Sequence, residues 1–62
     1  MNKEALLAMD PNILVSMVNM RLRDYFDSLE AYCEDVGISV EELNKKLMET
    51  GRVYDRDTNQ YK

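Results

Sequence analysis

The chain has no histidine, no tryptophan, one cysteine, one proline and two glycines. Each shortage removes a class of structure or chemistry. A single cysteine closes no intramolecular disulfide. Without histidine beside it, that cysteine builds no zinc site of the usual nitrogen and sulfur type. The lack of histidine also removes the commonest general acid–base group and the usual base of a serine or cysteine nucleophile. No apolar run approaches the ~18 residues that cross a bilayer, so no membrane span is expected. Ala5–Met9 is too short for a signal-peptide core and lacks a cleavage context. A lone cysteine without an export signal points to the cytoplasm.

What the chain does have is apolar surface and negative charge. Of its 62 residues 45% are hydrophobic, and twelve carboxylates against eight cations give a net charge of −4. That is too apolar for a disordered chain. The length allows one domain, which buries only ~60% of the surface its unfolded form exposes. Domains of this size usually need disulfides, a metal or a partner chain. With the first two excluded, close helix packing or oligomerisation is left. An enclosed active site does not fit so small a core, so neither enzyme activity nor a cofactor is expected.

Asn2–Met9 contains good helix formers but spans under three turns, a short or frayed helix over residues 1–9. Residues 10–62 form the domain proper. Asp10-Pro11 is a helix start: the aspartate caps, and proline suits the first helical position. The first long helix is expected over Pro11–Phe26. Ser28 caps a second helix, Leu29–Val36, which Gly37 ends in the left-handed conformation. Ser39 and Glu42 form a capping box for a third, Val40–Thr50. Val53-Tyr54 and Gln60-Tyr61 then read as a short hairpin with Asp57, Thr58 and Asn59 near its turn. Such a hairpin is marginal alone and should lean on the helices through Val53 or the tyrosines. The expected fold is therefore mainly α, a small three-helix domain with a helix-turn-helix-like corner and a short C-terminal β-hairpin.

The helical wheel of the first long helix carries a functional hint. Its apolar residues spread over most of the circumference, about twice the ~100° arc that one core-facing side needs. The polar strip is narrow: Asn12, Ser16, Asn19, Arg23 and Asp27. The remaining elements can hardly cover both sides, so self-association through this helix is expected, a dimer being favoured. Ile13, Met17, Val18 and Met20 are the candidate contacts.

Two short helices joined by Gly-Ile-Ser and followed by a hairpin also follow the order of a winged helix-turn-helix. Cys33 is the small residue, Gly37 the turn, and Tyr32, Val36, Ile38 and Leu43 the apolar positions. Lys46 stands where an apolar residue is usual, so Leu47 would have to serve. If this reading held, Ser39, Asn44, Lys45, Arg52 and Arg56 would contact DNA. Electrostatics oppose it. Residues 28–62 carry eight carboxylates against five cations, and Glu41 and Glu42 sit at the end that should enter the groove. Phosphate contacts need cations, so nucleic acid is the lesser alternative to a protein contact.

The segments DPNILVSMVNMRLRD, SLEAYCEDVGISVEEL and YDRDTNQYK together resemble the bacterial domain-of-unknown-function family 4250. Its pattern falls on Asp10-Pro11, Val18-Asn19, Leu22-Arg23-Asp24, Ser28-Leu29, Cys33, Asp35, Gly37-Ile38, Tyr54-Asp55 and Asn59-Gln60. The resemblance implies a small bacterial cytoplasmic protein and no particular activity. It draws attention to polar residues that packing does not require: Asn19, Arg23, Asp24, Asp55, Asn59 and Gln60. Asn19 and Arg23, four apart on one helix face, are expected to hydrogen-bond the hairpin and pin it. The sharper alternative is a partner or ligand surface built from the same strip, with an unidentified protein as partner. Cys33 reads as a buried structural thiol, and Asp55–Asn59 as a turn rather than a calcium loop.

Overall fold

The computed structural model describes residues 2–62. Four helices are followed by a two-stranded antiparallel hairpin: α1 (Lys3–Leu7), α2 (Pro11–Asp24), α3 (Leu29–Val36), α4 (Val40–Leu47), β1 (Tyr54–Asp55) and β2 (Gln60–Tyr61). None of these helices is long and apolar enough to cross a membrane.

Local signals set most boundaries. The Asp10 carboxylate accepts from the Asn12 and Ile13 amides at 2.9 and 3.4 Å. Ser28 accepts from the Ala31 amide at 3.1 Å. Gly37 ends α3 at φ 86°, a conformation that costs a glycine nothing. The Ser39–Glu42 capping box closes in both directions, at 3.0 and 3.2 Å.

Two helices stop earlier than their patterns suggest. α2 ends at Asp24, not Phe26, because Tyr25 leaves the helix at φ −130°. The Tyr25 and Phe26 amides both close onto the Arg21 carbonyl, so the Leu22 carbonyl is left for another donor. α4 ends at Leu47, not Thr50, and tightens into a 3-10 turn over Met48–Thr50. The Thr50 hydroxyl donates to the Leu47 carbonyl at 2.7 Å, and Gly51 reverses the chain.

α2 is the centre of the core. Leu14, Val15, Val18 and Leu22 form its buried stripe, packed with Leu29, Tyr32 and Cys33 of α3, Leu43 and Leu47 of α4, and Ile38 and Tyr61. Val18 is 0% exposed. Its place as a candidate oligomer contact is therefore corrected: it shares the inward face with Leu14 and Leu22, four residues to either side. Burial also pushes the Cys33 thiol up to about 11, so it stays protonated at neutral pH.

The register pairs Tyr54 with Tyr61 and Asp55 with Gln60. Val53 and Lys62 extend it, exchanging both backbone bonds at 3.3 and 2.9 Å. The hairpin rests on the helices through its tyrosines, whose rings lie 5.5 Å apart, and not through Val53, which faces out.

α1 is docked on the domain. Its Leu6 is fully buried in the common core, and Lys3 pairs with Glu42 of α4 at 2.6 Å. Leu6→Ala should therefore cost about 2–5 kcal/mol, as for other buried leucines, in urea denaturation. A loss below about 0.5 kcal/mol, the usual size of a surface change, would contradict this docking.

Candidate functional site

The polar residues singled out by the sequence divide into two groups. Asn19 and Asn59 join α2 to the hairpin. The Asn19 side-chain oxygen accepts from the Tyr61 amide at 2.7 Å, and its amide group donates to the Tyr61 carbonyl at 3.1 Å. This is the pattern a neighbouring strand would make, supplied by one side chain. Asn59 works at the other end of the hairpin. Its amide group donates to the Leu22 and Phe26 carbonyls at 3.1 and 3.0 Å, and its oxygen accepts from the Tyr54 hydroxyl at 2.5 Å. It does so at φ 54°, a left-handed conformation that asparagine tolerates better than most residues.

Asp55 shapes the turn. Its carboxylate accepts from the Asp57 amide and the Thr58 hydroxyl, both at 3.0 Å, and meets the Lys62 ammonium at 3.0 Å. These donors hold its pKa below the usual carboxylate value, Lys62 contributing most. Tyr61 reaches across the domain: its ring is buried and its hydroxyl donates to Asn44 of α4 at 2.6 Å. Nothing in the local sequence marks Asn44 as a hairpin ligand. The link exists only because β2 folds back over both α2 and α4.

Arg23, Asp24 and Gln60 form the second group, and all three are exposed. The expectation that Arg23 pins the hairpin is corrected. Its guanidinium takes the adjacent Asp24 carboxylate in a fork at 2.9 and 3.1 Å. This pairing lowers the Asp24 pKa and raises that of Arg23. With Phe26 and Asn59, Arg23 and Asp24 edge an open hollow at the C-terminal end of α2.

Residues 8–61 match the model described as Domain of unknown function (DUF4250). The chain belongs to the DUF4250 family. No curated protein and no solved structure matches it significantly. In this DUF4250 chain α1 lies before the matched segment, yet Leu6 belongs to the same core.

The residues that a DNA reading would use are mostly engaged elsewhere. Ser39 caps α4, and Asn44 accepts from Tyr61. Arg56 forks onto Glu30 at 3.1 and 2.7 Å and lies 5.6 Å from the Tyr54 ring centre. Arg56 holds the Glu30 carboxyl down at about 2. Lys45 and Arg52 have no carboxylate within 4.0 Å among the described residues.

The other outward feature of the DUF4250 domain is on α2. Ile13 is 62% and Met20 43% exposed, with Met17 half-buried between them. They line the side of the helix opposite the core stripe.

Asn19→Ala removes both partners of the Tyr61 backbone, and each orphaned group costs ~1–3 kcal/mol when shielded from water. Thermal denaturation should show a marked fall in Tm for Asn19→Ala and none for Arg23→Ala. Equal effects of the two substitutions would contradict the division drawn between the two groups.

Proposed function

We propose that the chain is a small non-catalytic interaction module that self-associates through α2. The observation that carries this reading is the outward stripe of Ile13, Met17 and Met20, on a helix whose opposite side already fills the core. Single exposed apolar residues are ordinary. Three at i, i+4 and i+7 form a continuous line about 10 Å long. The protonated, buried Cys33 supports the non-catalytic part of the reading, since the thiolate is the nucleophile.

A second copy suits this stripe when the two helices run antiparallel. With the twofold axis between Ser16 and Met17, Ile13 of each copy meets Met20 of the other. The same register brings Arg21 toward Asp10 and opposes the helix dipoles. A parallel pair would set Asp24 against Asp24 and Arg21 against Arg21. Stable dimers commonly bury ~800 Å² per partner, about a fifth of the 4075 Å² surface of this chain. One 14-residue helix supplies less than that, so the association is expected to be weak.

Light scattering over a concentration series should show the mass rising from one chain to two. Ile13→Glu and Met20→Glu should hold it at one chain while circular dichroism stays unchanged. A strict monomer at every concentration overturns the reading.

A further inference from the structure

A second groove, independent of the α2 stripe, runs between α4 and the hairpin. Its volume is about 360 Å³. Its apolar floor includes Val40, Met48, Val53 and Tyr54, and its polar wall Asn44 and Arg52. Met48 and Val53 are 73% and 74% exposed, the highest values among the large hydrophobic side chains described. Water meets them side by side at one place.

The charge of this groove sets it apart. The hollow at the end of α2 carries Asp24 and Asp27, the one between α2 and α3 carries Asp35, and the one beside Leu7 carries Glu42 and Glu49. Among the described residues no carboxylate lines the groove at the hairpin. In a chain of net charge −4, this hollow shows positive charge alone. Arg56 at its rim is matched by Glu30, so Arg52 is the cation left for a partner.

The groove also presents hydrogen-bond donors. The Asn44 oxygen is taken by the Tyr61 hydroxyl, which leaves its amide group to donate. Antiparallel ladders point alternate residues outward. Val53 pairs with Lys62 across the hairpin, so the backbone N–H and C=O of Tyr54 face away from β2. The matching groups of Tyr61, on the opposite edge, are taken by Asn19. One edge of the hairpin is thus closed by a side chain, and the other lies beside an apolar, positively charged groove.

We propose that this groove binds an extended acidic segment of a partner protein. Its backbone pairs with the outer edge of β1, a carboxylate meets Arg52, and an aliphatic side chain covers Met48 and Val53. Strand addition of this kind draws affinity from main-chain bonds and specificity from flanking pockets. A nucleic acid fits less well. Its phosphates need several cations, whereas one arginine is unmatched here and the floor is aliphatic.

A random-peptide display library selected against the full chain tests the proposal. The expected consensus places Asp or Glu next to Leu, Ile or Val. A synthetic peptide of that consensus should shift the amide resonances of Met48, Arg52, Val53 and Tyr54. Arg52→Glu, on an exposed side chain that the fold does not use, should weaken binding by about tenfold or more. Arg52→Lys should weaken it less. No enrichment, a basic consensus, or shifts confined to Ile13 and Met20 overturns the proposal. So does a single-stranded or duplex oligonucleotide that binds at these residues while the peptide does not.

Discussion

A two-residue strand does not hold its place in water by itself. In this domain the free edge of β2 is held by one side chain, the amide of Asn19, which takes both backbone groups of Tyr61. Several other features depend on that docking. Tyr61 can fill the core only if β2 lies along α2, and only then does its hydroxyl reach Asn44 of α4. Asn59 completes the clamp from the turn, bonding carbonyls that α2 leaves open where it ends. The hairpin acts as a strap across α2 and α4.

The strap also decides which surfaces remain outside. It covers the flank of α2 that carries Asn19 and leaves the face of Ile13 and Met20 open. It closes one strand edge and exposes the other beside Arg52. The proposed self-association and the proposed peptide groove therefore use different faces of one small core. One proposed surface is a helix face and the other a strand edge.

Much of this was legible in the sequence where the physics is local. Asp10-Pro11, Ser28, Gly37 and the Ser39–Glu42 pair each satisfy backbone groups within four residues, and each marks its boundary correctly. Asn19 was legible as a polar residue that an apolar helix does not need. Arg23 carried the same signal for a different reason. It stands beside an aspartate, and a neighbouring carboxylate is nearer than any hairpin atom. Leu6 looked like part of a frayed end because a five-residue helix has little stability of its own; its burial comes from tertiary packing. The early end of α2 was hidden for a similar reason: Asn59, 33 residues beyond Phe26 in the chain, takes the carbonyls there. The early end of α4 has a local cause that the helical pattern did not show, the Thr50 hydroxyl on the Leu47 carbonyl.

The Asn19–Tyr61 contact should fasten the hairpin as firmly as the core itself. Native-state hydrogen exchange at the Tyr61 amide measures this directly, because an amide freed only by global unfolding exchanges at the global rate. The Tyr61 amide should exchange as slowly as those of Val18 and Leu22 in the middle of α2. Exchange as fast as at Arg56 in the open turn would show that the hairpin frays independently, and would contradict the account.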